Sequence, residues 1–401
     1  MSARGELVSF EAPLQPARAA LRGDYSVSAG EGGLEVRDVR QKLVCRIAVA
    51  PAPGGSFWLT LTPLRGYTGD AGRIRRRLLA AGFLAEEGWR SAAVPMAAQE
   101  RADVVVARVL RRLLEIQDAN LPGVLADADL EFLHDYRVAI RRTRSVLREM
   151  RVVFDPAELA RVRDSFRWLQ NETGPTRDLD VYLEELAELR ALAPDWRQAD
   201  LSPLEPLLRE RHRRARGEME RALVSARAGT LRQEWGELLA KLARGGEDAP
   251  SPAAQPIAGL AAARIYRVQR TMVKMGRAIG PGAAPAQYHE LRKRGKELRY
   301  LLELFGGQLF GPGVVQPLIR ALKGLQDVLG RHQDREVQIE MLNEIAEELV
   351  SRPGGVGALM AIGTLIERLE DEARDARAEF AGAFAEFASP AQCKLVAREF
   401  R

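Results

Sequence analysis

Two stretches decide the fold: HDYRVAIRRTRSVLREM, from His134 to Met150, and HELRKRGKELRYLLELF, from His289 to Phe305. Laid over each other, they match His134 with His289, Arg137 with Arg292, Arg141 with Lys296, and Arg144 with Arg299. Both sets fall at offsets 0, 3, 7 and 10. At about 100° per residue this keeps the four side chains within an arc of about 80° on one helix face. A solvated helix face needs no such coincidence, because nothing then requires the same four positions to be basic twice.

The match extends on both sides. ARVLRRLL, with Arg108 and Arg111, pairs with ARIYRVQR, with Arg264 and Arg267. FRWLQNETGPTRDLDV, ending at Val181, pairs with LKGLQDVLGRHQDREV, ending at Val337, and sets Arg167 against Lys323, Gln170 against Gln326, Gly174 against Gly330 and Asp178 against Asp334. The offset stays at 155 or 156 residues, so the chain carries a duplicated unit with its elements in one order.

With 401 residues the chain can hold two or three domains. Its formal charge is +5, and residues 1–94 supply 13 Lys/Arg against 9 Asp/Glu, which leaves the repeats almost neutral at 47 against 46. Their cations therefore matter by position, not by excess. Cys45 and Cys393 have neither disulfide nor zinc-ligand spacing, and a reducing compartment is expected. There is no charged start followed by a long apolar run and no uncharged apolar stretch of spanning length, so neither a signal peptide nor a membrane span is expected.

Residues 25–62 alternate Gly and Pro with short β-prone runs (LEVRDV, KLVCRIAV, SFWLTL), which predicts a small sheet followed by a helix in GRIRRRLLAAGF. From about Pro95 the periodicity becomes helical, with expected breaks at LPGVL, FDPAEL, NETGPTRD, LAPDW, SARAGT and the linker RGGEDAPSPAAQP. In the second copy helices are expected near 257–279, 285–305, 313–330, 333–350 and 356–387. Val138, Leu147, Leu298, Leu301 and Leu302 should face the cores, and the basic stripes should face a groove between the copies.

The paired H-x-x-R-x-x-x-[RK]-x-x-R segments, RDLDV after Gly174, LRYLLELFG and LKGLQDVLGRHQDREV together resemble the CHAD family, the conserved histidine α-helical domain, over about residues 96–401. The fold class is then mainly α: two pseudo-symmetric helical bundles, with halves about 95–245 and 256–401, behind a small α+β module at 1–94. The resemblance implies a basic groove or pore that binds inorganic polyphosphate without catalysis, in the cytoplasm and in some members on polyphosphate granules. Its contacts would be His134, Arg137, Arg141, Arg144, Arg167, His289, Arg292, Lys296, Arg299 and Lys323. Arg108, Arg111, Arg148, Arg177, Arg264 and Arg267 are further candidates. Two positions depart from the repeat, since Arg148 meets Glu303 and Arg177 meets Gln333.

Many CHAD domains follow a triphosphate-tunnel domain with an E-x-E-x-K strand. Residues 1–94 lack that motif and are too short for the tunnel, so the module is read as at most a reduced relative. No catalytic residue, cofactor or metal site is expected, because the H-E-x-x-H, GxxxxGK[ST] and GxSxG patterns are all missing. DLD at 178–180 reads as a helix cap, His212 as a solvated surface residue, and His332 as either a cap or a rim contact.

The partner expected is polyphosphate, with sulfate or phosphate able to occupy the same cations. Membrane is excluded, and nucleic acid is disfavoured because no aromatics interleave the stripe. The alternatives from other classes are a phosphoanhydride-processing enzyme acting through the N-terminal module, and a histidine phosphotransfer bundle. For the binding reading, His134 and His289 should gain protons when phosphate arrives.

Overall fold

The computed structural model describes residues 17–30, 33–51, 57–63, 68–81, 94–127, 129–245, 251–280 and 282–401. The expected linker residues 246–250 and the last two residues of GRIRRRLLAAGF lie outside them. Contacts group the chain into two compact units, Met1–Ala92 with Leu113–Ala139, and Ala93–Arg112 with Ile140–Arg401.

In the first unit, strands β1 (Tyr25–Gly30), β2 (Gly33–Asp38), β3 (Leu43–Pro51) and β4 (Phe57–Pro63) form an antiparallel meander in the order β1-β2-β3-β4. Alternation puts Val27, Leu34, Val36, Cys45 and Ile47 into one buried cluster with Ile74 and Leu78 of helix α1 (Thr68–Ala80). The Tyr25 hydroxyl donates to Asp70 at 2.8 Å, which ties the sheet to the start of α1. β1 had no counterpart among the β-prone runs, because YSVSAG is mostly small and polar.

The rest is helical: α2 (Ala102–Leu125), α3 (Leu130–Glu149), α4 (Pro156–Ala191), α5 (Leu204–Leu223), α6 (Ala226–Ala243), α7 (Ile257–Arg277), α8 (Pro285–Leu301), α9 (Pro312–Leu349), α10 (Gly355–Phe387) and α11 (Pro390–Phe400). Starts follow local chemistry. Asp155 caps α4 by accepting from Ala157 and Glu158 with Pro156 at N1, and Ser225 caps α6.

Two expected breaks are absent. NETGPTRD lies inside the 36-residue α4, and the expected helices at 313–330 and 333–350 are one 38-residue α9. Pro175 removes one backbone donor, but Thr173, Gly174 and Thr176 are buried around it, and packing carries the helix through. LPGVL likewise closes α2 from within, at Pro122.

In the second unit α9 and α10 form the most extensive helix pair among the described residues. Leu186, Leu189, Leu201, Leu204 and Leu207 from the first copy share one apolar cluster with Met341, Leu342, Ile345, Ala358, Ile362 and Leu365 from the second. The two copies are thus joined by a common core. Leu147, Leu298, Leu301 and Leu302 are fully buried as expected, whereas Val138 is only partly so. Residues 97–102 are strapped to the junction between copies: Ile257 N donates to Glu100 O at 2.8 Å and Ala102 N to Gln255 O at 2.9 Å.

Charged pairs across the junction follow the repeat. Arg142 pairs with Glu303 at 2.9 Å, and Arg148 pairs with the buried Glu297. At the offset of 155, Arg142 corresponds to Glu297 and Arg148 to Glu303. Each first-copy arginine therefore meets the counterpart of the other, the reciprocal pattern of a two-fold interface. The departure noted at Arg148 is half of this exchange: the duplicated positions took opposite signs because they face each other.

Candidate functional site

Helix α3 carries His134, Arg137, Arg141 and Arg144 on one face, the first two in the first unit and the last two in the second. Arg137 is buried, whereas His134, Arg141 and Arg144 are half-buried. Helix α8 carries His289, Arg292, Lys296 and Arg299 in the same pattern, all within the second unit.

Lys296 is the centre of the arrangement. Its ammonium is pulled down to about 8, by burial first and then by Arg292, Arg141 and Arg299, with Asp334 opposing. Arg141 belongs to the first copy and Lys296 to the second, so within the second unit the two copies bring cations into one electrostatic neighbourhood. Such crowding raises the free energy of the charged state and is relieved by a bound anion.

A second concentration surrounds Arg144. Burial, followed by Arg167, Arg148 and Arg163, lowers its pKa, while its guanidinium donates to Gln170. Arg163 was not among the expected contacts, although its place one turn before Arg167 on α4 made it findable. Arg167 is exposed and paired with Asp164 at 2.9 Å, and Lys323 is exposed on α9.

Two carboxylates sit among these cations. Arg292 Nη2 lies 3.3 Å from Asp334, whose side chain is 63% exposed. Arg299 donates to Glu303 at 2.6 Å, and Glu303 also holds Arg142 at 2.9 Å. Glu303 stands in a single π turn, Leu302–Gly306, directly after α8.

The histidines differ. His289 Nδ1 is hydrogen-bonded to Gln333, which explains the second departure from the repeat, and it lines an open cavity of about 630 Å³ whose carboxylates are Glu290, Glu336, Glu340, Glu344 and Glu347. It stands where the cationic surface meets an acidic one. His332 is neither cap nor rim: it is 3% exposed in mid-helix, edge-on to Tyr288 at 5.1 Å, and burial together with Arg377 lowers its pKa. His212, expected in solvent, is largely buried and pairs with the buried Asp180 at 2.7 Å, because α5 packs along α4. Asp178 and Asp180 lie inside α4, so DLD caps nothing.

The further candidates serve several ends. Arg108 holds Glu100 at 2.7 Å and the Pro95 carbonyl at 2.5 Å, and Arg111 reaches the Gly236 carbonyl at 3.5 Å. Arg267 pairs with the buried Glu149 at 2.8 Å. Arg264 is lowered by burial and then by Arg267 and Arg151. Arg177 is half-buried on α4. Among the described residues no group of three or more His, Cys, Asp or Glu could hold a metal ion, and no helix is long and apolar enough to cross a membrane. What the cluster can do is hold a polyanion by several charge-assisted contacts.

A family model described as the CHAD domain matches residues 107–343. Two uncharacterized proteins of Mycobacterium tuberculosis, one from strain CDC 1551 / Oshkosh and one from strain ATCC 25618 / H37Rv, are each 30% identical over 226 residues, 55% of this chain and 41% of the relative. The chain thus spans about two fifths of the length of these curated relatives. The crystal structure of the CHAD domain from the plant Ricinus communis is similar with a TM-score of 0.62 at 26% identity, over 73% of this chain and 95% of that one. PptA from Streptomyces chartreusis, at 18% identity and a TM-score of 0.53 over 71% of this chain and 99% of that one, shares the fold.

Proposed function

The chain belongs to the CHAD family, a family associated with polyphosphate binding, and on that premise we propose that it binds inorganic polyphosphate without turning it over. The observation that carries this reading is the convergence of Arg292 and Arg299 of one copy and Arg141 of the other on the half-buried Lys296, whose amine is held down by burial and by these cations. A chain bearing about one negative charge per phosphoryl unit needs cations spaced along a track, and no catalytic group. Arg141, Arg144, Arg292, Lys296, Arg299 and Arg167 form the centre of that track. His289 and Lys323 extend it, the glutamates beside His289 mark its end, and His134 and Arg137 are assigned to binding by the family pattern alone.

On this reading binding belongs to residues 95–401, with halves at about 95–245 and 256–401, and no catalysis is assigned to the α+β module at 1–94, although by contacts that module groups with Leu113–Ala139. On the same reading we propose a cytoplasmic location, in association with polyphosphate granules. A histidine phosphotransfer role is disfavoured because His289 Nδ1 is engaged by Gln333 and its open side is acidic.

The test is competition at matched phosphate concentration between long-chain polyphosphate and single-stranded DNA. Polyphosphate should displace the DNA well below equivalence, since DNA spaces its charges more widely and finds no aromatic stacking surface on the stripes. Equal competition would replace this reading with general polyanion binding.

A further inference from the structure

Asp334 is a carboxylate set against the cations of the cluster. Its Oδ1 is 3.3 Å from Arg292 Nη2, and its charge acts on Lys296 against the combined push of Arg292, Arg141 and Arg299. A carboxylate inside a cation cluster can be a strut that positions an arginine, or a resident anion that must be displaced. Exposure separates the two. Glu303 is 25% exposed and clamped between Arg299 and Arg142, so it is a strut. Asp334 is 63% exposed, although partial burial still raises its carboxyl above the usual carboxylate range, and among the described residues it has one direct ion pair, with the 21% exposed Arg292.

The backbone leaves room for exchange. One turn earlier on α9, Gly330 has no side chain, and a Cβ there would stand 3.8 Å from Arg292 Nη2. The guanidinium therefore lies over bare helix on one side and against Asp334 on the other. Exposed ion pairs are weak, on the order of 1 kcal/mol or less, so a multivalent anion can break this one.

Resting on the polyphosphate reading, we propose that Asp334 is an internal competitor of the ligand: it neutralises Arg292 in the free protein and yields it to phosphate, so that weakly charged anions are rejected. The charged groups facing it are Arg292 and Lys296 of α8, Arg335 of its own helix and, with like charge, Glu185 of α4.

The experiment is a calorimetric titration of long-chain polyphosphate and of tripolyphosphate into the wild-type protein, Asp334→Asn and Asp334→Ala, at several salt concentrations. Both variants should bind polyphosphate about two- to fivefold more tightly, the range an exposed ion pair allows. Tripolyphosphate, with fewer other contacts to outweigh the competitor, should gain proportionally more. The slope of log affinity against log salt should steepen by about one unit, because one more cation exchanges counterions for ligand. Weaker binding with a shallower slope would make Asp334 a strut for Arg292, and unchanged binding would remove it from the site; either overturns the inference while leaving the polyphosphate reading in place. Absence of binding by the wild-type protein would overturn both.

Discussion

A lysine held near pH 8 is the residue on which the site's chemistry turns. In the unfolded chain Lys296 keeps an ordinary amine value of about 10.4, and in the free folded protein it falls to about 8. Between those values the unfolded state holds more protons, so this group's cost to stability is fully present below about pH 8 and is relieved as pH rises through the window. Polyphosphate acts in the opposite sense by favouring the charged ammonium. Affinity should be highest below about pH 8 and decline above it, while Lys296→Met should bind more weakly at neutral pH and show a flatter profile between about pH 8 and 10. Calorimetry across that range checks both. The sequence assigned this role to the histidines and named Lys296 only as a contact, because a depressed amine depends on burial and on Arg141, which lies 155 residues away. Partners were equally hidden: the repeat aligned Arg148 with Glu303 and Asp178 with Asp334, but an alignment gives equivalent positions and not contacts.

At the scale of elements, the helices were legible wherever periodicity met a capping residue, as at Asp155-Pro156 and Ser225. They were misread wherever Gly or Pro sat in a buried stretch. Gly174-Pro175 and Gly330 each suggested a turn, yet α4 and α9 pass straight through, because intrinsic propensity is a weak prior against long packed surfaces. One glycine that packing requires gave no signal. Gly276, near the end of α7, meets the Phe384 ring of α10, which stacks on Phe380 at 5.6 Å, and an added Cβ would overlap that ring. Gly276→Ala should therefore destabilise by about 1–3 kcal/mol through overpacking, despite alanine's better helix propensity. Thermal unfolding checks this. A variant as stable as the wild type, or more so, would show that α7 and α10 move apart at no cost.

For the whole molecule, the duplication was the strongest signal in the sequence and the one most fully carried into the structure. Two copies joined by a shared apolar core and reciprocal charge pairs make an obligate unit, and Arg141 from one copy and Lys296 from the other come to act on one another. That convergence is the central claim, and isothermal titration of long-chain polyphosphate into the wild type, Arg141→Ala, Arg292→Ala and the double variant tests it directly. These positions are preferable to Arg137, whose burial would mix binding with folding. Each single change should weaken binding about tenfold, in line with loss of one charge-assisted contact, and the double variant should depart from additivity because both side chains act on one ligand. Unchanged affinity in both single variants, with helical content intact, would contradict the claim that the two copies serve a common polyphosphate site.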